Sequence, residues 1–278
     1  MKFLKVVSFG KQLFKRTVSD DVPGMAAQLA FFFLLSLFPF LLFFITLIGY
    51  LPLTQADIMR VISIYAPEET FQLINKNVSE IANKKNGGLL SVTILATLWT
   101  ASNGINAIIR SLNTAYNVEE DRSFLVARLI AVILTIAMVL VIAVAFLLPI
   151  FGKAIGIYLF SFWGLSADFL QLWNALRWVI SFVVFFVVLL ALYKMAPNKK
   201  VYFKDAAVGA AFATIGWQLV SLAFSYYVDT MGNYSAAYGS LGGVIVLMIW
   251  FYISGMIIIG GGEINALFEK YRNNNYHI

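Results

Sequence analysis

Six long apolar runs divide the chain, near residues 28–51, 88–110, 125–151, 172–193, 205–228 and 240–268. Each is long enough to cross a bilayer, which takes about 20 apolar residues in an α-helix. The runs do not alternate apolar and polar positions as barrel strands do. A helix also satisfies its own backbone groups in lipid, where water is absent. The pattern predicts an all-α polytopic membrane protein with six transmembrane helices. The third and sixth runs have the clearest apolar cores. The second is diluted by Thr100, Ser102, Asn103 and Asn106, and the fifth is rich in Ala and Gly.

The flanks and the first connection read differently. Residues 1–27 mix Lys2, Lys5, Lys11, Lys15 and Arg16 with Phe3, Leu4, Val6, Val7, Leu13 and Phe14, which suits an amphipathic helix lying on the membrane surface. A signal peptide has its apolar run directly after one short basic region, whereas the first long run here begins near Leu29. Within 52–87, Ile58, Val61, Ile62 and Tyr65 share one helical face, and so do Phe71, Ile74, Val78 and Ile81. Two readings fit: a pair of short amphipathic helices packed on the membrane face, or a simple extramembrane hairpin. Residues 269–278 form a polar tail. The domain plan is therefore an N-terminal segment 1–27, a transmembrane domain 28–268 and the tail.

Composition agrees with this plan. Hydrophobic residues make up 61% and charged residues 12%, against about 45–50% and about 25% for a soluble domain. Of the basic residues, 14 fall on one side of the six-span plan, at the N-terminus, near Arg110, Arg122 and Arg128, at Lys194, Lys199, Lys200 and Lys204, and in the tail; 6 fall on the other. Short basic loops stay in the cytoplasm, so both termini are expected to be cytoplasmic and the 52–87 segment extracytoplasmic. The net charge of +6 then serves contact with anionic headgroups. A nucleic-acid partner is not expected, because the basic residues are split over several short segments.

A few polar residues interrupt the spans and carry the candidate chemistry. Glu263 follows Gly260, Gly261 and Gly262 in the last span. A carboxylate there is expensive in hydrocarbon and should face protein or a polar cavity, either as a coupling site or as a structural acid. Arg110 is its expected partner from topology. Trp99, Ser102, Asn103, Asn106 and Arg110 make a polar stripe at helical spacing, which lines a cavity or bonds helices together. Gln28, Ser36 and Gln218 are further polar positions inside spans. Pro39 should bend the first span near Leu35–Ser36. Ala206, Ala210 and Thr214, and Gly209, Ala213 and Gly216, present two small-residue faces, and Gly239 and Gly243 form a G-x-x-x-G. Asp21 and Pro23 look like a helix start.

Catalytic machinery is not expected. There is no cysteine and the one histidine is His277, so neither a zinc site nor a cofactor is anticipated. The acids are scattered, with a local run only at Glu119-Glu120-Asp121, which reads as a solvated turn.

Several segments together carry a family likeness: Asp21-Val22-Pro23-Gly24-Met25-Ala26-Ala27-Gln28-Leu29-Ala30-Phe31, Ser36-Leu37-Phe38-Pro39, and Trp99-Thr100-Ala101-Ser102 with Asn113, Tyr116 and Arg122. Pro197-Asn198, Trp217, Tyr238-Gly239-Ser240-Leu241-Gly242, Trp250-Phe251-Tyr252, Gly260 and Gly262-Glu263-Ile264-Asn265-Ala266 continue it. On these residues the chain resembles the YihY/BrkB family of bacterial inner-membrane proteins over roughly residues 10–268. The resemblance implies a six-span envelope protein whose former ribonuclease BN label is a misassignment. It brings no accepted reaction and no catalytic positions. Two functions compete: a transporter or exporter of a lipid or small envelope-related solute, and a non-transporting scaffold that assembles with a second copy or an envelope protein.

Overall fold

The computed structural model describes residues 2–48, 87–139, 167–230 and 241–275. Seven helices occur among them: α1 (Lys2–Ser19), α2 (Val22–Ile48), α3 (Gly87–Tyr116), α4 (Phe124–Val139), α5 (Ala167–Met195), α6 (Phe203–Thr230) and α7 (Leu241–Asn275). The expected helices between 52 and 86, the later half of the third span, Gly239 and the end of the tail lie outside the described residues. Four stretches are long and apolar enough to cross a membrane, namely Val22–Phe43, Gly87–Tyr116, Phe203–Tyr227 and Gly242–Asn273. Two shorter apolar helices, Phe124–Val139 and Val179–Met195, correspond to the expected third and fourth spans.

Local chemistry explains where the helices begin and end. Asp21 takes a left-handed backbone, which Asp tolerates better than most residues. Its Oδ1 accepts the Gly24 N–H at 3.2 Å, capping α2 as expected. The end of α3 closes by a Schellman motif: Asn117 sits at positive φ, its N–H reaches the Thr114 carbonyl, and the Val118 N–H reaches the Asn113 carbonyl.

The chain forms two compact units. One comprises Phe32–Ala101. Within it the hydroxyls turn back on their own helices: Ser36 Oγ donates to the Phe33 carbonyl at 2.7 Å, Thr46 to Leu42, Thr93 to Leu89 and Thr97 to Thr93. α2 continues as one helix through Pro39.

The other unit comprises Met1–Phe31 and Ser102–Ile278. Here α7 packs along α6, α6 along α5, and α1 against α7. Val22 and Ala26 of α2 pack with Ile259 of α7, and Gly255 leaves room for Ala26. The small-residue faces of α6 do what their spacing implies: Ala206, Ala210, Ala213 and Thr214 are fully buried. At Gly209 a β-carbon would run into the Gly261 carbonyl and Asn265, and at Gly261 into Tyr193 Oη and the Gly209 carbonyl. α6 and α7 therefore meet backbone to backbone, the close approach that small residues permit. Gly262 leaves room for Leu112 of α3, whereas the space beside Gly243 is open.

Candidate functional site

The polar groups that α7 cannot place in lipid gather along its later half. Glu263 is fully buried. Its Oε2 accepts from Arg16 Nε of α1 at 2.9 Å. The same guanidinium reaches Asp20 at 3.6 Å and donates to the Ala115 carbonyl at the end of α3. One arginine thus links two carboxylates and a helix C-terminus, where a cation is also favoured by the backbone dipole. Glu263 Oε1 is buried with no hydrogen-bond partner among the described residues.

Three further bonds converge on this region. Asn265 Oδ1 accepts the Gly209 N–H at 2.6 Å, a buried bond made possible by the close α6–α7 approach. Asp205, in the first turn of α6, is buried and accepts from Arg272 Nη1 at 2.7 Å. Lys199 Nζ donates to Glu269 at 3.0 Å and lies over the Tyr116 ring. Arg16, Asp20, Tyr116, Lys199, Glu269 and Lys270 contribute to the wall of a cavity of 470 Å³. The arrangement offers fixed charges of both signs around one space. Such a wall can contact a charged group of either sign.

A second polar knot joins the turns outside the apolar helices. Arg122 grips Glu120 with Nε at 2.5 Å and Nη2 at 2.6 Å, and donates to the Ala196 carbonyl. Asn113 donates to Glu120 at 2.9 Å and accepts the Asn198 N–H at 2.8 Å. Asn198 donates to the Glu119 carbonyl. The bonds from Arg122 hold the Glu120 carboxyl below its usual range, against the opposing effect of partial burial. The acidic run is exposed, as expected of a solvated turn, and Glu120 in addition orients Arg122 and Asn113, which bond Ala196 and Asn198 of the α5–α6 turn.

Two other expected site residues of this unit bond elsewhere than to Glu263. Arg110 is exposed and donates to Gln28 Oε1 at 3.3 Å. The expected Arg110–Glu263 pair is therefore replaced by Arg16–Glu263. Asn103 accepts from Arg128 Nη1 of α4 at 2.8 Å, a bond between helices. Ser102 is buried, Asn106 and Gln218 are half-buried, and Trp99 is largely exposed. Beside Gln218, Trp217 donates to Ser254 Oγ at 3.2 Å and stacks on Phe185. A β-carbon at Gly260 would make only an ordinary contact with Phe212.

Arg16, Asp205, Glu269 and Asn265 were not expected in the site. A signal existed for Arg16. Of the basic residues of α1 from Lys11 onward, it alone falls on the face of Phe9 and Leu13.

Residues 13–277 match the family model described as Virulence factor BrkB. The protein YfkH of Bacillus subtilis, whose name includes the words ribonuclease-like, is 54% identical over 98% of this chain and all of its own length. A UPF0761 membrane protein of Vibrio parahaemolyticus is 30% identical over 94% of this chain and 82% of its own. Another, from Tolumonas auensis, is 27% identical over 96% and 87%. No solved structure matches.

Proposed function

Because the chain belongs to the BrkB family of membrane proteins, we propose that it is a multi-pass transporter or exporter of the bacterial plasma membrane. In this reading it has six spans, with both termini in the cytoplasm. The orientation rests on the excess of Lys and Arg in alternate connections. The cargo is a lipid or a small envelope-related solute that carries charge. Glu263 and Arg16 hold one another in the resting state, and a charged guest entering the adjacent cavity displaces one of them.

A single observation supports this reading most. A carboxylate with no exposure, on an apolar helix, depends on a guanidinium from a separate helix that also lines a 470 Å³ cavity. Buried ionisable groups in membrane helices commonly mark a pathway. The ribonuclease-like label belongs to the Bacillus relative; no catalysis enters this reading.

The test is flux from sealed vesicles containing the purified protein. The vesicles are loaded with a panel of labelled small ions, zwitterions and short-chain phospholipids. Wild type should release at least one class, and Glu263→Gln should lose most of that flux while remaining inserted and monodisperse. Retention of the whole panel by wild type, or full flux in Glu263→Gln, overturns the proposal.

One set of bonds favours the scaffold reading instead. Asn103 bonds Arg128, Asn265 bonds Gly209 and Asn113 bonds Asn198, so the amides bridge elements rather than facing one cavity. Co-purification with an envelope protein in fixed stoichiometry, without flux, would select it.

A further inference from the structure

We propose that the outer face of α1 is a docking surface for the anionic headgroup region of the bilayer. α1 has two apolar stripes on opposite sides. The inner one is used: Phe9 lies against the Tyr271 ring at 5.9 Å, Gln12 donates to Tyr271 Oη at 2.7 Å, and Arg16 holds Glu263. The outer one consists of Val7, Phe14 and Val18, at helical spacings of seven and four that place them on one face. They are 53%, 72% and 63% exposed. Lys11 and Lys15 are exposed along the edge of this stripe.

Charge selects the occupant. α1 contains no acidic residue. Among the described side chains of α1, Arg16 is matched by Glu263 and Asp20, while Lys11 and Lys15 are exposed and able to meet an outside partner of negative charge. An amphipathic helix with bulky apolar residues between lysines fits the boundary of headgroups and acyl chains. Other helix starts also present exposed aromatic and apolar side chains. Phe124 and Leu125 open α4, and Tyr202 and Phe203 lie at the start of α6, all exposed. Lys194 Nζ sits 3.3 Å from the centre of the Phe203 ring. Arg272, next to the Tyr271 that meets α1, lies over the Tyr202 ring. A band of aromatic and basic side chains is the usual composition at a membrane–water interface.

The chain has no cysteine, so Phe14→Cys gives one labelling site in the full-length protein. An environment-sensitive fluorophore there is read in vesicles of phosphatidylcholine with and without phosphatidylglycerol, and Ser8→Cys serves as a second site away from the stripe. The expected result is blue-shifted emission at position 14, quenched by lipids carrying a shallow acyl-chain quencher. Phosphatidylglycerol should strengthen both effects, and salt should weaken them. Lys11→Gln with Lys15→Gln should lower the docked-to-free ratio by about fivefold per lysine. Water-like emission at position 14 in both lipids overturns the proposal. So does a blue shift that ignores phosphatidylglycerol and disappears when protein is diluted in excess lipid, which would identify a second copy of the chain as the occupant.

Discussion

Arg16 of α1 donates its Nε proton to Glu263 of α7 at 2.9 Å, across 247 positions of sequence. The acid is fully buried, and Arg16 draws in Asp20 and the Ala115 carbonyl as well. The pair fixes a surface-type amphipathic helix to the polar half of an apolar one. In the transport proposal it is also the charge that a guest displaces.

The neighbouring pair makes an asymmetric prediction. The Asp205 side chain has 0% exposure and that of Arg272 has 26%. Arg272→Gln strands a carboxylate that cannot reach water and should cost about 3 kcal/mol. Asp205→Asn leaves an arginine that can turn outward, and should cost about half as much. Thermal unfolding in a fixed detergent checks the order. Equal losses would place Asp205 in contact with water.

Backbone contact between α6 and α7 predicts sharp position dependence among the glycines. Gly209→Ala and Gly261→Ala should each destabilise by about 2 kcal/mol, because the new methyl meets backbone or the tightly bonded Tyr193 hydroxyl. Gly243→Ala enters open space and should be neutral or slightly stabilising. Unfolding midpoints of the three variants give the comparison.

Much of this fold was legible in the sequence because periodicity reports faces. Small residues at Ala206, Ala210 and Gly209 marked a helix contact, Asp21 marked a cap, and Glu263 marked an inward carboxylate. Periodicity does not report which neighbour meets a face. Topology alone brought Arg110 near Glu263, but Arg110 lies on an exposed side of α3 while the long Arg16 side chain reaches in from α1. Asp205 resembled an ordinary acid in a first helical turn, and only the packing of α7 along α6 sets Arg272 beside it. Asn103 in turn finds Arg128 across a turn whose shape depends on Glu120 and Arg122.

That turn has its own pH signature. The Glu120 carboxyl is held below its usual range by Arg122. Its contribution to stability is fully present above the unfolded carboxylate value of about 4.3 and is lost as pH falls through the lower folded value. Glu120→Gln should therefore flatten the acid side of the stability profile and leave the neutral side less stable than wild type. Unfolding midpoints across the acid range test this, and an unchanged acid slope in the variant would count against the clamp.

The central pair is tested most directly by a double-mutant cycle on Arg16→Ala and Glu263→Gln, read as unfolding free energies in one detergent. Arg16→Ala should cost about 3 kcal/mol because it strands the buried carboxylate. Adding Glu263→Gln should recover much of that loss, giving a coupling of about 2 kcal/mol. Additive losses, with coupling near zero, would mean that the two side chains do not form the charge pair on which the whole reading depends.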